Sequence, residues 1–208
     1  MNRRKFLQVG AAAATAISAW PAMTAEARPA ELPFRLLYAP HDGMFQHHAG
    51  KTFIDQIKFM HYQGFRAIED NGLLGRPVAE QEKIGSTLAQ LGMTMGVFVV
   101  DGGDNWKTSL TTGKPEFVEN FVNTCRKCVD AAKRVNAKWM TVVPGFFERR
   151  LPMGIQTAHV VDALRRGAEI FEPHGLIMVL EPLSDTPDLF MRYSDQTYEL
   201  CKAVNSPA

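Results

Sequence analysis

The chain has 208 residues, 46% of them hydrophobic and 22% charged, which fits a globular protein with one sizeable core. Its formal net charge of +1 excludes the basic footprint of a nucleic-acid binder and the acidic tail of a solvating segment. Three cysteines, Cys125, Cys128 and Cys201, are too few, and odd in number, for a disulfide framework.

The chain opens on Asn2-Arg3-Arg4-Lys5-Phe6-Leu7-Gln8, an arginine pair followed by Phe-Leu, and then an alanine-rich apolar run from Val9 to Trp20. Ala25-Glu26-Ala27 offers a small-x-small cleavage site. This layout predicts a twin-arginine secretory signal over residues 1–27. The run is too short and too rich in alanine to span a bilayer comfortably, which sets aside an uncleaved anchor. Cleavage before Arg28 takes three basic and one acidic residue from 23 and 22, leaving a net charge of −1. The mature domain, 28–208, is therefore expected in the periplasm or secreted, with neither a nucleic-acid nor a membrane partner.

After the signal, strand-like and helix-like segments alternate. Phe34–Ala39 reads as a first strand stopped by Pro40, and Phe53–Gln63 as a helix with Ile54, Ile57 and His61 on one face, stopped by Gly64. Phe65–Asp70 is the second strand. A helix from Pro77 repeats Ile84, Leu88 and Leu91, and Gly92 ends it. Met93–Val100 is the third strand, followed by a polar loop to Gly113. Pro115 opens the clearest helix, with Phe117, Phe121, Cys125, Cys128, Val129, Ala132 and Val135 along one face. The Cys-x-x-Cys spacing falls inside that face, with no second pair at zinc-site spacing, so it reads as small buried residues rather than a metal or redox site. Lys138–Val143 is the fourth strand, Ile155–Pro173 the fourth helix and Leu176–Glu181 the fifth strand. Ser194 reads as the N-cap of a last helix to Val204, with Leu200, Cys201 and Val204 facing inward.

Five βα units with continuous apolar strands imply an α/β fold with a parallel sheet covered on both faces. A doubly wound sheet and a (β/α)8 barrel both fit. No Gly-x-Gly-x-x-Gly or Walker loop supports a nucleotide site.

In either architecture the chemistry belongs at the carboxyl ends of the strands. Those ends carry His41-Asp42-Gly43 with His47 and His48 nearby, Glu69-Asp70-Asn71, Asp101 to Trp106, Phe146 to Arg150, and Glu181. Recurring carboxylates suit a hard divalent cation. Each has a plainer reading. Asp42 and Asp101 would cap turns beside glycine, His47-His48 would sit in a solvated loop, and Glu148 would join an ion-pair cluster with Arg149 and Arg150. Trp106 would serve as a substrate-facing wall or a loop anchor. Glu181 ends an apolar run, "LIMVLEPL", where a buried carboxylate costs several kcal/mol unless it is paired or metal-bound.

The segment "GLIMVLEPLSDTPDLFMRYSDQTYELCKAVNSP" resembles the fifth strand-helix unit of the hydroxypyruvate isomerase-like branch of the xylose isomerase-like barrels. "GFRAIED", "LGMTMGVFVVDGGDNW" and "AKWMTVVPG" resemble its second, third and fourth strands more loosely. The resemblance implies a (β/α)8 barrel, of which about five units are present. It implies one divalent metal, Mg²⁺ or Mn²⁺, and isomerisation or epimerisation of sugars or small hydroxy-carbonyl compounds through an enediolate. Glu181 matches the family's first metal-binding and acid/base glutamate. His41, Glu69 and Trp106 are the expected substrate contacts. The remaining ligands would come from strands six to eight, so the chain is expected to be a fragment of a longer protein, inactive alone; a homo-oligomer is compatible with this. Two other readings stay open: a non-catalytic carbohydrate-binding barrel, and an endonuclease IV-like phosphodiesterase, which would need more strand-end histidines and a basic face.

Overall fold

A computed structural model describes residues 34–208. The expected signal, residues 1–27, lies outside the described residues. Helix α1 is Phe53–Tyr62, α2 Val78–Leu91, α3 Pro115–Val135, α4 Met153–Phe171 and α5 Ser194–Val204. The strands are β1 Ala67–Ile68, β2 Thr94–Met95, β3 Val97–Val99, β4 Trp139–Val142 and β5 Ile177–Leu180. Among the described residues no helix is long and apolar enough to cross a membrane.

Local chemistry sets the helix ends. Thr52 caps α1: its Oγ1 accepts from Asp55 N at 3.2 Å, satisfying an otherwise orphaned amide. Gly92 takes the left-handed conformation that ends α2, and Pro115 is pre-set for the first turn of α3. On α3 the faces separate as the spacing predicts, with Phe121, Cys125, Cys128, Val129, Ala132 and Val135 buried. Burial pushes the Cys125 thiol up to about 12 and raises Cys128 as well, so both behave as small core residues. The last helix differs from expectation. Tyr193, not Ser194, is its N-cap, because the Gln196 side chain reaches back to accept from Tyr193 N at 3.0 Å. Leu200 is buried but Cys201 is exposed.

All strand pairs are parallel: β1 with β2, β3 with β4, and β4 with β5. The expected third strand is split at Gly96 into β2 and β3, yet its backbone stays engaged. Gly96 N donates to Ile68 O at 2.7 Å, and Asp70 N to Val97 O at 3.1 Å. The expected first strand, Phe34–Ala39, forms no ladder. Pro40 and His41 meet the residue that follows β1, through Glu69 N to Pro40 O at 3.0 Å and a single His41–Glu69 bridge. Leu36, Leu37 and Tyr38 are exposed. Pro40 lacks an amide hydrogen, and no further strand borders this segment among the described residues.

The parallel segments thus run in sequence order, each beside the next. A doubly wound sheet reverses its strand order partway; this one does not. Five βα units curl as part of a (β/α)8 barrel. The core lies between strands and helices around Ile57, Ile68, Phe98, Met140, Leu164 and Phe171, each fully buried.

Candidate active site

The polar side chains at the carboxyl ends of the strands separate by what they touch. Asp42 and Asp70 meet on Arg76, whose Nη2 donates to Asp42 Oδ2 at 2.7 Å and whose Nε donates to Asp70 Oδ2 at 2.7 Å. Nη1 also reaches Glu80 Oε1 at 2.8 Å. Asp70 is 1% exposed, so this pairing offsets a severe desolvation cost. Asp42 also accepts from Gln56 Nε2 at 2.9 Å. The network pins the loop after Pro40 to the start of α2. Sequence reasoning missed Arg76; its spacing of four from Glu80 was the available signal.

Asp101 caps its own turn, as the glycines suggest, by accepting from Gly103 N at 2.7 Å. Asp104 is held by Lys107 Nζ at 2.7 Å and Asn120 Nδ2 at 2.6 Å. Asn105, buried, donates to Val100 O. The loop is therefore anchored by Asp104 and Asn105. Trp106 is not the anchor: it stands 52% exposed with no aromatic partner among the described residues. Glu148 Oε1 accepts from Arg150 N at 3.0 Å. His47 and His48 are exposed in a turn, as expected.

Three strand-end groups remain: His41, Glu69 and Glu181. Neither carboxylate has a side-chain partner among the described residues, and Glu69 lies within reach of the charges of both Glu181 and His41. Burial raises the Glu69 carboxyl above its ordinary value, the Glu181 charge raises it further, and His41 opposes the rise. His41 Nδ1 lies 2.7 Å from Asp42 O. A carbonyl only accepts, so Nδ1 carries hydrogen there and Nε2 stays free for a ligand. Gly96 makes room for this group: a Cβ there would sit 3.1 Å from Ile68 O and 3.4 Å from Glu69 Cγ.

Glu181 overturns one expectation. It is exposed, and β5 is only half-buried along its length. Its free carboxylate is thus not a buried charge in want of a partner; it is an open one. The donor set fits part of a metal site, with two carboxylates whose mutual repulsion a cation would relieve and one imidazole nitrogen. Among the described residues no three such groups already form a metal cluster.

A family profile described as xylose isomerase-like TIM barrel matches residues 57–208. A sequence search of curated proteins finds no match. Among solved structures, an AP endonuclease, family 2, from Brucella melitensis superposes with a TM-score of 0.68 at 19% identity, covering 81% of this chain and 64% of that one. The 3-keto-D-glucoside 4-epimerase YcjR from E. coli gives 0.65 at 15% identity, covering 82% and 65%. An IOLI protein with a bound zinc atom gives 0.62 at 14% identity, covering 76% and 55%. The chain therefore spans less than two thirds of the length of these structures. At such identities the likeness is one of fold.

Proposed function

We propose a function from one premise: this chain belongs to the xylose isomerase-like TIM barrel family. The reading is a divalent-metal-dependent isomerase or epimerase of sugars or small hydroxy-carbonyl compounds, of the hydroxypyruvate isomerase-like kind, acting through an enediolate. The observation that carries it is the His41, Glu69 and Glu181 group, the strand-end side chains left uncommitted when the others pair off. The epimerase likeness adds weight to the chemistry, and the zinc-bound neighbour to the metal.

Each residue has a role its surroundings support. Glu181, open and without a partner, would ligate the metal. Glu69 holds its proton to a higher pH than an ordinary carboxyl, which suits a group that gives and retrieves a proton beside a carbonyl carbon. His41 Nε2 would bond a substrate oxygen, and Trp106 would wall the entrance from its exposed loop. A bound divalent ion would polarise the substrate carbonyl and hold the neighbouring oxygen. The arginine pair and cleavage site at the start of the chain support export by the twin-arginine route.

The test is Mn²⁺ titration, followed by calorimetry and thermal melting, of a form that includes the strands six to eight expected to carry the remaining ligands. One-site binding that Glu181→Gln weakens at least about tenfold, a 1.4 kcal/mol change, is expected. Absence of Mn²⁺, Mg²⁺ and Zn²⁺ binding would overturn the reading. It would favour a second one, a sugar-binding barrel without catalysis.

A further inference from the structure

Each of the five helices sends a carboxamide back onto the loop that precedes it. Gln81, Gln156 and Gln196 bond backbone groups of their loops, and Asn120 bonds Gly102 O and the Asp104 side chain. The fifth, Gln56 on α1, is 3% exposed and differs in what it holds. Its Oε1 accepts from Gly43 N at 2.9 Å, and its Nε2 donates to Asp42 Oδ1 at 2.9 Å. Gly43 N and Asp42 O belong to one peptide group, and Asp42 O is the atom 2.7 Å from His41 Nδ1. Gln56 thus grips one edge of the peptide whose other edge meets the imidazole.

That peptide is of a kind that can turn over. It is the central peptide of the turn that Met44 N closes on His41 O at 3.4 Å. Gly43, third in that turn, has a φ of +90°, the sign of a type II turn, whereas type I carries a negative φ there. The two types differ chiefly by a half-turn of the central peptide, and glycine accepts either. After such a flip an N–H would face His41 where the carbonyl does now. Nδ1 would then have to accept, and the ring hydrogen would sit on Nε2. The nitrogen left bare for a ligand would become a donor.

Gln56 opposes the flip. Turning the peptide over would bring Asp42 O against Gln56 Oε1, two acceptors with no hydrogen between them. The amide cannot reverse to meet it, because Nε2 is committed to the Asp42 carboxylate, whose other oxygen accepts from Arg76 Nη2 at 2.7 Å. A reversed amide would set Oε1 against that carboxylate. Arg76, Asp42, Gln56 and the 42–43 peptide therefore form a chain that specifies which nitrogen of His41 carries the hydrogen.

We infer that Gln56 is a positioning residue for His41, holding the 42–43 peptide so that the imidazole keeps its hydrogen on Nδ1 and presents a bare Nε2. The inference rests on the reading above for what Nε2 meets, and on geometry alone for the tautomer. The test is long-range ¹H–¹⁵N NMR of the imidazole rings of the 208-residue protein, at a pH well above the ordinary imidazole range. The His41 signals are identified by their loss in His41→Gln. We expect the parent to hold its hydrogen on Nδ1. Gln56→Met should lower the ratio of Nδ1–H to Nε2–H about tenfold or more, a 1.4 kcal/mol change. Gly43→Ala should shift the ratio in the same direction, because alanine disfavours the positive φ while no atom lies within 4 Å of the added Cβ. It decides the question should Gln56→Met fail to fold. Asn120→Ala removes the corresponding bonds from another loop and should leave the His41 ratio unchanged, which a general loosening of the fold would not. The inference is overturned by a parent with its hydrogen on Nε2, by a ratio that neither Gln56→Met nor Gly43→Ala moves, or by an equal shift in Asn120→Ala. No metal or substrate enters the measurement, so the isomerase reading and this one fail separately.

Discussion

Glu69 is the residue whose environment speaks most directly to pH. Its carboxyl is raised by burial and by the Glu181 charge, so the native state holds its proton longer than the unfolded chain does. More protons in the native state means stability falls as pH rises. The cost is absent below the ordinary carboxyl range and grows as pH rises through the raised value. We therefore expect Glu69→Gln to match the parent in urea melts at acid pH and to exceed it near neutrality. A midpoint gap that does not change with pH would contradict this. Glu181→Gln should also lower the Glu69 carboxyl toward its ordinary range, read by ¹³C NMR titration. Arg76 is the opposite case, a group whose partners depend on it. Arg76→Met strands Asp70, 1% exposed, and removal of one partner of a buried pair costs about 3–5 kcal/mol. That predicts a Tm loss on the order of 10 °C, and Arg76→Lys, which keeps charge but not the fork, should lose less. At this scale the sequence showed where Glu181 stands but not its exposure. An apolar run looks alike whether its strand is covered on both faces or on one. Nor did it distinguish Asp42 and Asp70 from Glu69, because the arginine that claims the first two lies several residues away on another loop.

The helices were the most legible elements, since a 3.6-residue spacing survives any tertiary arrangement. What spacing does not reveal is how closely two helices approach. Gly85 in the middle of α2 faces the end of α3, and a Cβ there would collide with Arg134 O and lie 3.2 Å from Val135 Cα. In an isolated helix Gly→Ala is worth about 0.5–1 kcal/mol of stability. Here the obstacle is backbone, which cannot rotate aside, so Gly85→Ala should instead destabilise by about 1–3 kcal/mol. Thermal melts decide between the signs, and a stabilised variant would mean that α2 and α3 have room to part. Strands were less legible than helices. Phe34–Ala39 has a strand's composition but not its neighbours, and composition alone does not form a ladder. Met93–Val100 was read as one strand and is divided at Gly96, where the chain hands its pairing from β1 to β4.

For the whole molecule, strand order was the deciding fact, and alternating βα units cannot supply it: the same alternation serves a doubly wound sheet and a barrel. Sequential parallel pairing also ranks the strands by protection. β4 has a strand on each side and helices above it, with Met140 and Val142 fully or almost fully buried. The 34–41 segment has β1 on one side, and Leu36 and Leu37 stand 65% and 83% exposed. Amide exchange follows local opening, which is cheapest where few buried contacts must be broken. Exchange measured by mass spectrometry should therefore show peptides over 139–142 protected to the level of global unfolding, with peptides over 34–38 exchanging at once. The exposed apolar side chains add a concentration arm to the same measurement. A second copy docking on this edge would slow exchange at 34–38 as protein concentration rises while leaving 139–142 unchanged. Slow exchange at 34–38 that dilution does not relieve would contradict the edge position described for this segment.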